Sequence, residues 1–400
     1  MDPEDPIQTD GADGFDGTEE YEVTKTIELG DLDELGPVSS DEEVVDGTGQ
    51  EMETEDIIPK PKELTPCTVL FNQHKGSVFS VGLRVAGDLA VSGGEDDRGV
   101  VWRTSNGEVV MECGGHKDSV ISCGFSYDGK YVYTADMEGK IIVLKIKTGE
   151  VVLDFETADI EWARWHSGAH VLLAGCADGM TWMWRIPSGQ YKTFPGHGFS
   201  CTCSAIASAD NKLCTGYKDG IVKIWDMKEG ELLHQIKQGK GGHTEGVTSL
   251  DINLGANISV SGSEDGSCKI YSISTGKVVQ SIQLSPENAV ECVSISRASG
   301  LLACGTLNGT ISVWDTRTQK IRHTFSTTAG IVSLQWCFPT AHNILCCTLD
   351  GSVNLCDSRS GDIVRTWSAH SDEVLAMDVL EDKGIFVTGS ADNTARIFSI

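Results

Sequence analysis

From residue 63 onward, apolar and polar side chains alternate in short stretches, and the stretches recur in units of about 40 residues. Alternation of this kind is the period of a strand with one face buried, and self-similarity at this period is the mark of four-stranded propeller blades. The units align on a turn residue at Asp96, Glu138, Asp178, Asp219, Asp265, Asn308, Asp350 and Asp392. Each lies six residues before the end of an alternating stretch, at Trp102, Leu144, Trp184, Trp225, Tyr271, Trp314, Cys356 and Phe398. Seven of the eight turn residues are Asp or Asn, the types that brace tight turns between strands. The expected fold is all-β: an eight-bladed β-propeller over residues 63–400.

A histidine stands 22 residues before the turn residue in five units: His74, His116, His197, His243 and His370. The same five carry a hydroxyl four residues before the turn, on Ser92, Thr134, Thr215, Ser261 and Thr388, whereas the others have Ala174, Cys304 and Cys346 there. Joint presence and joint loss is what a hydrogen-bonded clasp requires, because one buried partner left alone costs about 1–3 kcal/mol. The pattern resembles the WD-repeat (WD40) family, in which His, Ser or Thr, Asp and Trp form a buried tetrad within a blade. That resemblance implies complete tetrads in the first unit, His74, Ser92, Asp96 and Trp102, and in the fourth, His197, Thr215, Asp219 and Trp225. A catalytic triad or metal centre fits the same histidines poorly, since a catalytic constellation is a single cluster rather than a motif repeated around a ring. Metal-ligand spacings such as HExxH or paired CxxC do not occur, and "SGGEDD" and "SGSEDG" put carboxylates where a phosphate cradle needs bare amides. No enzyme, cofactor or metal is expected.

Charge divides the chain in two. It carries 59 Asp and Glu against 31 Lys and Arg, a net charge of −28. Residues 1–57 hold 21 of the acids and only Lys25 as a base, so −20 of the charge lies there and −8 remains beyond it. With Phe15 and Tyr21 as its aromatics, this stretch cannot bury enough surface to offset its ordering entropy, and residues 1–62 are expected to be a disordered acidic arm. The acidic balance argues against direct nucleic acid binding and for a basic protein partner. The fourteen cysteines include no CxxC pair and read as small core hydrophobes in a reducing compartment. Neither a signal-like start nor an 18-residue apolar run occurs. A cytoplasmic monomer is expected, with the nucleus or cell cortex as further locations.

The last unit ends at Ile400 after its third strand, "ARIFSI", and residues 67–71, "CTVLF", are apolar enough to supply the fourth and close the ring. In propellers of this type, one face is formed by the residues leading into the innermost strand and by the turn before the third strand. The charged residues at those positions are Glu95, Asp159, Glu161, Glu264, Glu291 and Glu373, against Lys218 alone. Asp118, Glu245 and Asp372 lie beside them, with Phe79, Ile121, Ile331, Leu349 and Leu375 as candidate apolar anchors. Such a face reads as an acidic funnel for a Lys- and Arg-rich segment.

Four segments go beyond a general WD pattern: "GGEDDRGVVWR" at 93–103, "GGHKDSVISCGFS" at 114–126, "DIEWARWHS" at 159–167 and "VLLAGCADGMTWMWRIPSG" at 171–189. With them the chain resembles the angio-associated migratory cell protein family. The resemblance implies an eight-bladed propeller whose fungal relatives are chaperones of a basic large-subunit ribosomal protein (L10, or uL16, type) in ribosome biogenesis, and whose animal members are linked to cell migration and angiogenesis. Two other functions stay open. "WDTR" at Trp314 to Arg317 resembles the signature of substrate receptors of cullin-type ubiquitin ligases, and a cortical signalling scaffold would use several separate surfaces.

Overall fold

Alternation in the sequence becomes eight four-stranded antiparallel sheets in the computed structural model. It describes residues 64–400 apart from 240, 254, 256, 285, 286, 297 and 338–341; the expected acidic arm at residues 1–62 lies outside the described residues. Blade 1 is typical, with strands Val78–Leu83, Leu89–Gly94, Gly99–Arg103 and Val109–Cys113 in that order across the sheet. Its second strand is buried throughout, whereas the outer strand is exposed except at Cys113 and half-buried Met111. The first strands of neighbouring blades touch all the way round, including Val374–Leu380 of blade 8 against Val78–Leu83 of blade 1.

The apolar core is distributed rather than central. Among the described residues, eight clusters of buried side chains occur, one at each blade interface. Between blades 1 and 2, for example, Val91 and Val101 meet Val132 and Ile142. A sheet buried on both faces needs a neighbour on each side, so an open row of blades would leave two apolar faces in water and a ring leaves none. Close approach is secured by glycine at the end of the second strand. A Cβ on Gly93 would lie 2.5 Å from Val120 Cγ1 of blade 2, and one on Gly389 would lie 2.8 Å from Val78 Cγ1 of blade 1. All fourteen cysteines are free, and thirteen of them are buried.

Blade 8 is composite. Its first three strands are Val374–Leu380, Ile385–Ser390 and Ala395–Ser399, and its outer strand is Val69–Phe71, with Leu70 opposite Arg396. Thr68 N–H extends the ladder to the Ile397 carbonyl at 2.7 Å. The next residues pass directly into blade 1, where Phe71, 1% exposed, stacks on Trp102 with ring centroids 4.8 Å apart.

Each first strand carries a β-bulge near its start. The ladder skips one residue in every blade: Phe79, Ile121, Glu161, Thr202, Thr248, Glu291, Val332 and Leu375. A bulge frees a side chain from the in-and-out alternation and re-aims it; these eight residues occupy equivalent positions around the ring, with Ile121 and Val332 still packed against core clusters.

Candidate functional site

The end of the ring that bears the bulges is fixed by a clasp, and blade 1 shows it complete. His74 Nδ1 lies 2.9 Å from Asp96 Oδ1, its Nε2 lies 2.8 Å from Ser92 Oγ, and Trp102 Nε1–H donates to Ser92 Oγ at 3.2 Å. The indole can only donate, so the serine hydroxyl gives its proton to His74 Nε2, and His74 Nδ1–H donates to the carboxylate. Burial holds the His74 pKa below its ordinary value despite the opposing pull of Asp96. Burial alone would raise Asp96, but its bonds from His74 and from Lys75 N–H outweigh this and hold the carboxyl low.

The other histidines vary the theme. His243 reaches Asp265 at 3.0 Å and Ser261 at 2.6 Å, and the Tyr271 hydroxyl lies 2.9 Å from Ser261 where blade 1 has an indole. His370 reaches Asp392 at 2.9 Å and Thr388 at 2.7 Å. In blade 2 the carboxylate is not at the turn position: Glu138 is exposed, and the buried Asp136 takes His116 Nδ1 at 3.0 Å. Blade 4, expected to hold a full tetrad, does not. His197 Nε2 meets Asp219 at 3.0 Å, but its Nδ1 has no partner among the described residues, and Thr215 instead donates to the Tyr217 hydroxyl at 3.3 Å while accepting from Trp225 Nε1–H at 2.9 Å. The Tyr217 ring packs edge-on against His197 with centroids 4.5 Å apart, and its hydroxyl serves Thr215 in place of the imidazole.

Around this frame a second bond recurs in all eight blades, tying the residue that precedes the turn to the loop above the first strand. It runs from Glu95 N–H to Ser77 C=O, Ala177 to Asp159, Glu264 to Gly246 and Ala391 to Glu373, at 2.8–3.0 Å. Blades 2, 4, 6 and 7 use Met137 to Ser119, Lys218 to Ser200, Leu307 to Ala289 and Leu349 to Gly330. The bond sets the two segments side by side at one end of every blade, and the six carboxylates lie on them. Glu95, Asp159, Glu161, Glu264 and Glu373 are exposed and Glu291 is half-buried. Glu161 and Glu291 are themselves bulge residues. Glu95 Oε2 accepts Ser77 N–H at 3.0 Å, and Glu161 Oε1 accepts the Ser200 hydroxyl at 2.6 Å.

Several carboxylates elsewhere are paired with bases: Asp88 with Arg84, Glu112 with Arg98, Asp154 with Lys140, Asp226 with Lys212 and Asp315 with Arg322. The six rim carboxylates join no ion pair among the described residues, and Lys218 is exposed among them. Burial, and then repulsion from Glu264 on the neighbouring blade, raises the Glu291 pKa above its ordinary value. Negative charge here is therefore concentrated without a counterion.

Apolar bulge residues Phe79, Ile121 and Leu375 are half-buried, as is Leu349 on the turn of blade 7. Ile331 is not an anchor: it is 0% exposed, within the blade 6–7 cluster. Blade 7 holds one residue more than the other blades between its bulge and its turn, which brings Val332 to the rim instead. Arg317 lies on the turn between third and outer strands of blade 6, at the opposite end, with its side chain 78% exposed. Among the described residues, no group of three or more His, Cys, Asp or Glu side chains is placed to hold a metal ion, and no helix is long and apolar enough to cross a membrane.

Comparison with known proteins adds relatives. The repeat family "WD domain, G-beta repeat" matches residues 107–144, 188–226, 230–272, 276–315 and 361–399. The angio-associated migratory cell protein of Homo sapiens is 37% identical over 347 residues, covering 83% of this chain and 80% of its own length. Among solved structures, Saccharomyces cerevisiae Sqt1 superposes with a TM-score of 0.77 at 22% identity, over 84% of this chain and 100% of the other. Chaetomium thermophilum Sqt1 bound to the N-terminus of ribosomal protein L10 does so at 0.77 and 20%, over 84% and 99%.

Proposed function

Since the chain belongs to the angio-associated migratory cell protein family of WD-repeat propellers, we propose that it is a non-catalytic escort, whose carboxylate rim receives a basic segment of a ribosomal protein. The observation that carries the reading is the uncompensated charge of the rim. Glu161 and Glu291 stand on bulges of two first strands, and burial, with repulsion from Glu264 after it, raises the Glu291 pKa. Clustered like charge opposes folding of the free protein; a Lys- and Arg-rich ligand removes that repulsion and is steered to the site from a distance.

The reading of the cargo is supported by Chaetomium thermophilum Sqt1, which is bound to the N-terminus of ribosomal protein L10: for this chain it is a basic segment of a ribosomal protein. Held on a negative rim, such a segment is shielded from premature contact with nucleic acid. A cytoplasmic place of action belongs to the same proposal. The test is affinity purification from growing cells, using the wild-type chain and a combined charge reversal of Glu95, Glu161, Glu264 and Glu373. Recovery of a basic ribosomal protein by the wild type and its loss from the reversal is the expected result. Unchanged recovery by a folded reversal variant would remove the rim from the account.

A further inference from the structure

We propose that the channel mouth opposite the carboxylate rim is a pocket for an arginine side chain presented by a partner protein. The first strands of blades 8, 1, 2 and 3 end there around a cavity of about 360 Å³, lined by Leu83, Phe125, Tyr127, Trp165, Asp378 and Leu380. Tyr127 is 45% exposed, so the cavity can be entered from solvent.

Among the described residues, Asp378 is the only carboxylate on this wall. Its Oδ2 accepts Leu83 N–H at 2.7 Å and its Oδ1 accepts Val379 N–H at 2.9 Å. Each oxygen therefore keeps acceptor capacity, and no Lys or Arg pairs with it among the described residues. Burial raises its pKa from the ordinary value, the direction expected of a carboxyl without a cation.

Blade 5 separates the structural part of this arrangement from the rest. There Asp251 makes the same two bonds, to Ile295 N–H at 2.8 Å and Ile252 N–H at 2.7 Å, and so latches one first strand to the next. The latch alone accounts for an aspartate. It does not account for the aromatic-walled cavity that blade 8 sets beside its own.

A guanidinium satisfies both features. Its planar fork matches the two carboxylate oxygens, its faces stack on aromatic rings, and its aliphatic arm suits the leucine walls. An ammonium offers a point charge without the plane, and a neutral side chain leaves Asp378 unpaired.

The test uses Nα-acetyl-arginine N-methylamide and its citrulline isostere, followed through the Trp165 indole N–H resonance of the full chain. The arginine probe is expected to shift that resonance and to bind at least about tenfold more tightly than citrulline. Asp378→Asn should weaken the arginine probe about tenfold or more, whereas Asp251→Asn, which removes the charge from the equivalent latch, should leave it unchanged. If Asp378→Asn fails to fold, Tyr127→Ala at an exposed wall position takes its place, with weaker binding again expected. Charge reversal of Glu161 and Glu291 at the other end should leave the probe's affinity as it was, which keeps this site distinguishable from the rim. No shift with the wild-type chain, equal binding of the two probes, or equal loss in the two Asp variants would overturn the proposal.

Discussion

Blades 1 and 3 have the same four strands, but they hold the loop above the first strand in opposite ways. Blade 1 ties it forward, through His74, into its own turn and core. Blade 3 has Ala174 in place of the serine, and its loop is tied backward: the Thr157 hydroxyl lies 3.0 Å from the carbonyl of Gly139, on the turn of blade 2, and 2.8 Å from that of Ala158. Blade 7 repeats the substitute through Thr327, to Gly309 at 3.0 Å and Ala329 at 2.7 Å. The rim changes in step. Where the histidine clasp is complete or nearly so, the bulge residue is Phe79, Ile121, Thr248 or Leu375; of the three blades without a clasp histidine, two present Glu161 and Glu291. The difference lies at the bulge position: the rim carboxylates Glu95, Glu264 and Glu373 stand on clasped blades, but only the unclasped blades 3 and 6 place a carboxylate on the bulge itself.

The largest effect should come from the seam between two clasped blades. Deleting residues 1–72 removes the outer strand of blade 8 together with Phe71, whereas deleting 1–57 spares both. Loss of the Phe71 side chain alone should cost about 3–5 kcal/mol. Denaturant unfolding should show a large cooperative loss for the longer deletion and almost none for the shorter; equal losses would sink the closure argument. Next in size is the clasp. His74→Ala should cost about 1–3 kcal/mol, because Asp96 and Ser92 lose a buried partner. Thr157→Val, which removes the hydroxyl part of the backward tie and leaves the Thr157 N–H bond to the Gly139 carbonyl at 2.9 Å, should cost about 0.5–1.5 kcal/mol. Equal costs would make the two ways of holding the loop equivalent, and the reverse order would make the threonine tie the stronger.

Acid should discriminate more finely. Burial holds His74, His116 and His243 below the ordinary imidazole value of 6.5, ahead of the raising effect of their aspartates. The unfolded chain then takes up protons that the folded chain refuses, so the clasp contribution is complete above pH 6.5 and is lost as pH falls below it. The melting temperature should drop between about pH 7 and about pH 5, and less steeply in His74→Gln; a rise on acidification would contradict the neutral clasp. The smallest effect belongs to the rim. Glu291→Gln should slightly raise the melting temperature of the free chain, because a carboxyl whose pKa is raised on folding opposes folding once ionised. The same substitution should weaken binding of a basic peptide, and a fall in both would make Glu291 a structural residue.

Most of this molecule was legible in its sequence, because propeller blades repeat and repetition exposes spacing. The eight registers and the paired histidines and hydroxyls follow from counting. Counting failed where side-chain reach replaced position. Asp136 does for His116 what Glu138, two residues on, is placed to do by spacing alone. A tyrosine hydroxyl two residues beyond Thr215 displaces His197 from it, although all four tetrad residues are present. The extra residue of blade 7 moved the rim position from Ile331 to Val332. The acidic face itself was readable from the six carboxylates, but not the bulges that turn Glu161 and Glu291 to the rim, since a bulge is a property of strand pairing rather than of one strand. The threonine ties of blades 3 and 7 left no signal either, because their partners are backbone carbonyls.

The central claim, that the rim captures a basic segment by charge, is tested most directly by fluorescence anisotropy of a labelled L10 N-terminal peptide titrated with the full chain from about 50 to about 500 mM salt. The account predicts that wild-type affinity falls steeply with salt, and that Glu161→Gln with Glu291→Gln both weakens binding at low salt and flattens the dependence. Salt-independent binding, or an unchanged slope in the double variant, would contradict it.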